Sequence, residues 1–525
     1  MTEPHLATQA GPAMRRPTST PAEPAATGGA PGQSWRSRAL VLLRRHWLVA
    51  ALLAAGLVLR VLAEIAYHPA LIYVDTLKYL YGESPGADPQ GYMLVLRAIL
   101  AVGDLGTVVT IQHLLGLALA AALYAAVLRR GASRWLAAVA VAPVLLDAYQ
   151  VQIEQTIMPD VWFEAMIVAA LVLLLWRPAV TVRFAAAAGL ILGASATMRQ
   201  LGEVMVLPAV VYLLVLGGGW RQAVRSSAAL AAAFALPVVA YCSVSYARTG
   251  NFWLARGQVT TGRVAAAADC ATLTLPAAVR PLCPTPKQQA LGPDWLEHSG
   301  HSPLYQAAIP PGADRLTLIS ELTSAIVRQQ PLRVVVSVAR DSVRVFSVTR
   351  TSSLWIAPIW RWQFQTSYPT YLPWISVRAG NVITIGVQRV SFGQFYYHPL
   401  RPSYGGRAQV DRPVAAFLRA YQLDGGYTPG PLLALFALAG LAGSVVTLIH
   451  RPTTPRSRQL ALGCLLFTAF AAVLLLPPDV FEFSWRYQLP VLISLPPAGV
   501  LGLAALLSRR RPAAQPGPDP APGSA

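Results

Sequence analysis

Charged residues are scarce in this sequence, and acidic residues are the scarcest of them. Of 525 residues only 12% are Asp, Glu, Lys or Arg, and these comprise 42 Lys and Arg against 23 Asp and Glu. Hydrophobic residues make up 54% of the chain, which is too many for a soluble domain of this length. The scarcity of charge therefore excludes an ordinary soluble fold and predicts several membrane spans.

The sequence also lacks a nucleic-acid-binding module, although its formal net charge is +19. No basic segment carries residues suited to reading a groove, and the arginines are spread through short loops. In a membrane protein, that distribution is typical of the cytoplasmic side. We therefore expect no nucleic-acid partner.

The two ends of the chain lack long hydrophobic runs. Residues 1–38 are rich in Ala, Pro, Thr and Gly, and residues 509–525 form a basic, Pro-rich tail. Neither end can bury enough apolar surface to offset its chain entropy, so we predict two disordered tails. We also predict no cleaved signal peptide, because a long polar stretch precedes the first apolar run.

Ten apolar segments are long enough, or nearly long enough, to cross a bilayer. They cover residues 46–66, 106–128, 135–150, 159–176, 184–198, 203–217, 226–247, 429–449, 459–477 and 489–508. The pattern predicts an all-α polytopic membrane protein with a smaller mixed α/β external domain. Residues 39–247 hold the first spans and a first external loop at 67–105. Residues 248–428 form the external domain, and residues 429–508 hold the remaining spans.

Clusters of arginine next to these spans indicate how the chain crosses the membrane. With ten spans, every cluster falls on the same side as the amino terminus. The clusters are Arg44 and Arg45, Arg129, Arg130 and Arg134, Arg177 and Arg183, Arg221 and Arg225, Arg451, Arg456 and Arg458, and Arg509 to Arg511. By the positive-inside bias, we predict that this side and both termini are cytoplasmic. The opposite, external side receives the unusual polar residues.

Asp75 and Lys78 lie just past the first span, in the stretch Tyr-Val-Asp-Thr-Leu-Lys-Tyr. A carboxylate at the lipid–water boundary usually faces a cavity, a partner or water, and it could act as a general base on an acceptor hydroxyl. The alternative is that Asp75 only caps a helix beginning at Thr76.

Glu154 and Asp160 lie at the mouth of the third and fourth spans. Asp160 follows Pro159 and could simply open the fourth helix, whereas Glu154 has no such structural explanation. Together with Asp75, these carboxylates could share protons, orient an acceptor or bind a cation. Oxygen ligands alone would suit magnesium or manganese better than zinc.

Two arginines also reach the external side. Arg199 interrupts the turn between the fifth and sixth spans, where Glu203 could pair with it. Arg486 and Tyr487 stand in an aromatic stretch before the last span. Arginine is suited to hold two phosphate oxygens at once, although Arg486 could instead be an ordinary interfacial anchor.

The chain has only four cysteines, and their positions differ in kind. Cys242 and Cys464 lie in apolar spans and are expected to be inert. Cys270 and Cys283 lie in the predicted external segment, a compartment that permits disulfides, so we predict that they are bridged. Two free thiols are the alternative.

Metal-binding and local ion-pair patterns are weak. His298 and His301 lie close to Asp294, but their spacing matches no closed zinc pattern, so we expect no metal there. Arg60 and Glu64 stand four residues apart in the first span and are predicted to form an ion pair on one helix face.

Taken in order, the external motifs resemble the GT-C superfamily of integral-membrane glycosyltransferases. Within it, the sequence resembles the polyprenyl-phosphate-sugar-dependent group that includes protein O-mannosyltransferases and the aminoarabinose transferases of lipid A. The motifs are Tyr-Val-Asp75-Thr-Leu-Lys, Met-Pro-Asp160, Thr-Met-Arg199 and Arg486-Tyr487-Gln-Leu-Pro. The resemblance covers residues 40–250 best. The first motif has a single Asp where the family has a pair of acidic residues.

The resemblance implies an inverting glycosyltransferase in a bacterial plasma membrane, with its active site on the external face. Asp75 would take the proton from the acceptor hydroxyl, and Glu154 and Asp160 would position the acceptor or Asp75. The residues that would hold the departing lipid phosphate are Lys78, Arg199, Arg486 and Tyr487. The implied partners are the bilayer, a polyprenyl-phosphate-linked sugar and an external glycan, lipid or protein acceptor. No cofactor is expected, and a divalent cation is not indicated.

Two other functions remain open. A transporter or flippase of lipid-linked sugars commonly shows repeated halves around a site at the membrane midplane. This chain shows no evident internal repeat, and its polar groups lie at the outer boundary. A non-catalytic role in envelope assembly would leave Asp75 and Arg486 without chemical work.

Overall fold

Helices dominate the computed structural model of the chain, which describes residues 41–73, 75–81, 89–216, 219–255, 260–369, 375–378, 382–389, 394–399, 404–405, 408–450 and 454–509. The described residues from Leu48 onward belong to one compact unit. The helices of the first half are α1 (Trp47–Ala66), α2 (Thr76–Tyr81), α3 (Gly91–Leu100), α4 (Leu105–Arg129), α5 (Arg134–Leu146), α6 (Ala148–Gln155), α7 (Asp160–Leu175), α8 (Val182–Met198), α9 (Val206–Val215) and α10 (Trp220–Thr249). A 3₁₀ turn, Gln200–Val204, precedes α9.

In the second half, several helices of 15 residues or fewer come before two helices of 20 and 21 residues. The short helices are α11 (Thr261–Ala267), α12 (Pro286–Gln289), α13 (Pro293–His298), α14 (Pro303–Gln306), α15 (Arg315–Gln329), α16 (Pro331–Ser342) and α17 (Arg412–Leu423). The later helices are α18 (Gly430–Ile449), α19 (Pro455–Leu475), α20 (Pro478–Phe481) and α21 (Leu495–Arg509). Short 3₁₀ turns cover Arg280–Leu282, Val343–Phe346, Ile359–Trp362 and Leu489–Ile493.

Among the described residues, six helices are long and apolar enough to cross a membrane. They are Trp47–Ala66, Leu105–Arg129, Trp220–Thr249, Gly430–Ile449, Pro455–Phe481 and Leu489–Ser508. The pair α5 and α6, bent by 49°, adds a seventh if the two form one broken span. The chain is therefore a mostly helical, multi-pass membrane protein. The other predicted spans correspond to shorter helices, so the ten-span topology stays a prediction.

The third predicted span is bent at Asp147. Pro143 lies inside α5 and removes one of its backbone donors, and Asp147 adopts an extended conformation between α5 and α6. The Asp147 carboxylate then accepts hydrogen bonds from the amides of Tyr149 at 3.0 Å and Thr428 at 2.8 Å. The bend turns α6, every residue of which is buried, into the interior of the protein.

Small residues allow α8 and α10 to pack closely. A Cβ added to Gly189 would collide with the carbonyl oxygen of Leu230, and one added to Gly193 would collide with that of Phe234. Close backbone approach through small residues is a common mode of helix association in membranes.

Arginines of two predicted cytoplasmic clusters, Arg129 and Arg130 of one and Arg177 of the other, meet at one end of α7. Arg130 donates hydrogen bonds to the carbonyls of Leu174 and Arg177, where α7 ends. Asp160 begins this 16-residue helix, so it lies about 24 Å away at the opposite end. Arg130 and Asp160 thus lie at opposite ends of α7, and which side of a membrane each end faces stays a prediction.

The segment between α10 and α18 contains a second, smaller core and a three-stranded sheet. Its core includes Val264, Leu282, Leu304, Leu322 and Ile326. Helix α15 ends at Gln329, and α16 begins at Pro331. Strands β2 (Ile375–Arg378), β3 (Val382–Arg389) and β4 (Gln394–Pro399) form an antiparallel sheet in which Ile375 pairs with Ile385 and Gly386 with Tyr397. Strands β1 (Tyr67–His68) and β5 (Gln409–Val410) pair antiparallel.

Cys270 and Cys283 form a disulfide in this segment, with their Cα atoms 6.0 Å apart. Cys242 and Cys464 are free and buried, as expected of thiols in apolar helices. The two predicted tails, residues 1–38 and most of 509–525, lie outside the described residues.

Candidate active site

Arg486 joins the two acidic motifs of the first half of the chain. Its Nε donates to Asp160 Oδ1 at 3.1 Å and its Nη2 to Asp160 Oδ2 at 2.9 Å. Its Nη1 donates to Asp75 Oδ2 at 3.1 Å. The guanidinium is therefore forked on one carboxylate and bound to a second, and both carboxylates lie more than 300 residues away in the sequence. Bidentate pairs of this kind are among the strongest charged hydrogen bonds in proteins.

Asp160 is held between two arginines. Arg199 Nη1 donates to Asp160 Oδ1, and the Arg199 guanidinium also lies 5.6 Å from the ring of Tyr487. Asp160 is 2% exposed and stands in the first turn of α7, where the helix dipole favours negative charge. The carboxylate partner of Arg199 is thus Asp160, whereas the side chain of Glu203 is exposed.

Asp75 is the accessible carboxylate of this group. Its side chain is 23% exposed, and its Oδ1 lies 3.2 Å from the ammonium of Lys78. Burial alone would raise the pKa of Asp75, but the charges and hydrogen bonds of Lys78 and Arg486 outweigh it and hold the pKa well below its ordinary value. Asp75 is therefore ionised at neutral pH.

Pairing between two loops sets Asp75 beside Asp160. Leu71 forms a parallel bridge with Thr156, and the amide of Ile157 donates to the carbonyl of Leu71 at 3.1 Å. The hydroxyl of Thr76 then donates to the carbonyl of Ile157 at 3.0 Å. The first loop after α1 is thereby fixed to the loop that leads into α7.

A second pairing positions Arg486. Phe483 forms a parallel bridge with Ile356, and its carbonyl accepts a hydrogen bond from the amide of Ala357 at 2.9 Å. The indole nitrogen of Trp485 donates to the carbonyl of Thr351 at 3.0 Å. The residues just before Arg486 are thus attached to residues 351–357 through Phe483 and Trp485.

Aromatic rings surround the arginines. The guanidinium of Arg486 lies 5.0 Å from the ring of Trp362 and 5.5 Å from that of Tyr487, and Tyr73 packs on Trp362 at 4.6 Å. Burial, reinforced by the charge of Asp75, raises the pKa of Tyr73 to about 12. Burial and the charge of Glu482 also raise the pKa of Tyr487 well above its ordinary value. Both phenols stay protonated at neutral pH and offer donors to an anion.

We call Asp75, Lys78, Asp160, Arg199 and Arg486 the Arg486 cluster. It contains two carboxylates and three cations, so one positive charge is in excess. A partly exposed, aromatic-lined group with a positive excess is suited to bind a phosphate next to a carboxylate that can accept a proton.

Glu154, a predicted catalytic residue, lies in a separate buried network. Both of its carboxylate oxygens are bound by Arg60 at 2.8 Å, and His113 Nδ1 lies 3.1 Å from Oε2. Gly116 makes room for this side chain, since a Cβ there would collide with the carboxylate. The structure therefore brings together every predicted catalytic and phosphate-binding residue except Glu154.

Arg60 pairs with Glu154 and not with Glu64, so the predicted helix-face ion pair is wrong. Arg60 is 1% exposed and faces α5, where it also donates to the carbonyls of Val144 and Leu145. A buried guanidinium needs a buried counter-charge, and Glu154 on α6 supplies it.

Trp362 and Tyr73 are site residues to which the sequence pattern assigns no role. Tyr73 belongs to the first external motif and could have been found from its place two residues before Asp75. Trp362 lies in a 3₁₀ turn near the start of an aromatic-rich stretch, and no sequence signal distinguishes it from its aromatic neighbours.

No protein-family model and no curated protein sequence matches this chain. Among solved structures, a similar chain occurs in the S. cerevisiae protein O-mannosyltransferase Pmt1–Pmt2 complex bound to the sugar donor. The two chains are 16% identical with a TM-score of 0.30, and the match covers 40% of this chain and 34% of that one. The match thus spans about a third of that chain, and a likeness of this degree supports no inference about function.

Proposed function

We propose that this chain is an inverting membrane glycosyltransferase that transfers a sugar from a polyprenyl-phosphate donor to an acceptor outside the cytoplasm. The observation that carries the proposal is the Arg486 cluster, in which an accessible carboxylate, Asp75, adjoins an excess of positive charge. A sugar phosphate offers both of the groups that such a site needs: an anion to be held and an electrophilic carbon beside it.

In this mechanism the acceptor oxygen attacks the anomeric carbon of the donor. A bond forms between these two atoms while the bond from the anomeric carbon to the phosphate oxygen breaks. The hydroxyl proton passes to Asp75, and the electron pair of the broken bond stays on the phosphate. Lys78, Arg199 and Arg486 stabilise the charge that grows on the phosphate as it leaves.

Donor binding would also prepare Asp75 for its role. Without donor, Lys78 and Arg486 hold the carboxylate and weaken it as a base. A phosphate competes for the same two cations, so their hold on Asp75 loosens when the donor binds and the basicity of Asp75 increases.

In this proposal Asp160 orients Arg199 and Arg486, and Glu154 supports the site by fixing α6 to α1 through Arg60.

The test is transfer by the purified protein in detergent, with a synthetic labelled polyprenyl-phosphate sugar and cell-envelope acceptors. We expect a labelled product whose anomeric configuration is inverted relative to the donor. A flippase would give no product with any donor, but it would move the lipid-linked sugar across a liposome bilayer. That pair of results would contradict the proposal.

The proposed topology needs a separate test. The chain would have cytoplasmic termini, ten spans and an external segment at residues 248–428. A reporter that is active only in the cytoplasm should be silent when fused at Gly300, which is exposed, and active at the carboxyl terminus. Activity at Gly300 would contradict the topology and the external site together.

A further inference from the structure

A second group of polar side chains lies beside the Arg486 cluster. Asp294 and His298 stand one turn apart on α13, and Glu482 reaches them from the segment that leads to Arg486. One potential ligand atom from each of the three lies within 4.8 Å of the other two. Two carboxylates and an imidazole at such distances can surround a single ion.

Glu482 is the member of this group whose surroundings are incomplete. The residue is 6% exposed, and its Oε2 has no hydrogen-bond partner among the described residues. Buried carboxylate oxygens are normally paired or bound to a metal, because leaving one unsatisfied is costly.

The described cations near the two carboxylates are shared with other groups. Arg361 lies 3.7 Å from Asp294 Oδ1, at the limit of an ion pair, and it also interacts with Tyr73. His298 Nδ1 lies 3.3 Å from Asp294 Oδ1, while the imidazole as a whole is mostly exposed. An ion could therefore reach the group from solvent and keep water in its remaining coordination positions.

We propose that Asp294, His298 and Glu482 bind a divalent first-row transition-metal ion. An imidazole nitrogen with two carboxylates suits manganese or zinc, whereas an all-oxygen set would suit magnesium or calcium. His301, which the sequence pairs with His298, is not part of this group, and its Nδ1 lies 3.2 Å from Gln306. The third ligand is instead Glu482, which lies 184 residues after His298.

The ion would act as a positioning element for the neighbouring site. Phe481, adjacent to Glu482, packs against His298 with ring centroids 6.1 Å apart and against Tyr487 at 5.8 Å. A metal bound by Glu482 would join α13 to the segment that carries Arg486 and Tyr487. This inference does not rest on the proposed glycosyltransferase activity, because ion binding is measured without any substrate.

The experiment uses the full-length protein, purified in detergent without a histidine tag and stripped with a chelator. Mn²⁺ and Zn²⁺ are titrated separately by calorimetry, and retained metal is measured by mass spectrometry after dialysis. We expect about one equivalent of bound ion and a higher thermal unfolding midpoint in its presence, since an ion that binds only the folded state stabilises it.

Two ligand variants and a matched control sharpen the test. His298→Ala and Glu482→Gln should each weaken binding by about 100-fold or more, since loss of a supporting partner alone costs about 10–100-fold. His301→Ala removes a nearby exposed imidazole and should leave binding unchanged. Because His298 is exposed, His298→Ala should fold even if Glu482→Gln does not. No stoichiometric binding by the wild type, or equal binding by His298→Ala and the wild type, would overturn the proposal.

Discussion

Arg486 Nη1 lies 3.1 Å from Asp75 Oδ2, although 411 residues separate the two in the sequence. The contact joins the first loop after α1 to the segment before α21, so the two ends of the membrane-spanning chain build one site. Because the guanidinium is also forked on Asp160, a change at Arg486 affects both acidic motifs at once.

Replacing Arg486 with Lys should mainly weaken donor binding. Lysine keeps the charge but loses the planar fork, so it cannot bind Asp160, Asp75 and a phosphate together. The loss of about one charged hydrogen bond to the phosphate should raise the donor dissociation constant about 10-fold or more. Binding of a fluorescent polyprenyl phosphate measures this effect. Arg328→Lys on the exposed face of α15 is the control, and equal affinities for both variants would contradict phosphate binding by Arg486.

Replacing Arg60 with Met should strongly destabilise the fold. The change leaves Glu154 buried without its guanidinium, and removal of one partner from a buried ion pair costs about 3–5 kcal/mol. Glu64→Gln is the matched control, because Arg60 pairs with Glu154 and not with Glu64. This change should therefore leave the stability of the fold nearly unaltered. Thermal unfolding followed by tryptophan fluorescence distinguishes the two. Similar midpoints for Arg60→Met and Glu64→Gln would contradict the Arg60–Glu154 pair.

Asp75 should contribute stability above about pH 4 and lose it below. Its pKa is lower in the folded protein than in the unfolded chain, where it is about 3.9, so the unfolded state binds more protons in acid. The stabilisation is complete above the unfolded pKa and is lost as the pH falls through the folded pKa. The midpoint difference between wild type and Asp75→Asn should stay constant from pH 7 to 5 and shrink in stronger acid. A difference that changes between pH 5 and 7 would indicate a raised pKa.

The meeting of Asp75, Asp160 and Arg486 could be predicted because each is a charged residue at the same end of a hydrophobic segment. In a bilayer, residues at one end of neighbouring helices are confined to one plane, so order along the chain and sidedness together restrict their positions. The same reasoning identified the pairing of Cys270 with Cys283, which lie 13 residues apart in one segment.

The role of Glu154 could not be predicted in this way, because it depends on the bend at Asp147. That bend is stabilised by Thr428 and Arg350, which lie more than 200 residues away in the sequence. A local pattern therefore assigns Glu154 to a short external loop, whereas the bend buries it against Arg60. The group of Asp294, His298 and Glu482 could not be predicted either, because Glu482 is remote in sequence from the other two residues.

The central claim is that Asp75 accepts the proton of the acceptor, and Asp75→Asn tests it most directly. Asparagine keeps the size and polarity of the side chain but cannot act as the base. Asp411→Asn is the matched control, because Asp411 is an exposed helix cap and Asn caps equally well. The measurement compares transfer from a synthetic polyprenyl-phosphate sugar with donor binding by the same preparations. We predict that Asp75→Asn binds donor but transfers about 10²–10⁴-fold more slowly, while Asp411→Asn matches wild type. Wild-type turnover by Asp75→Asn would contradict the account.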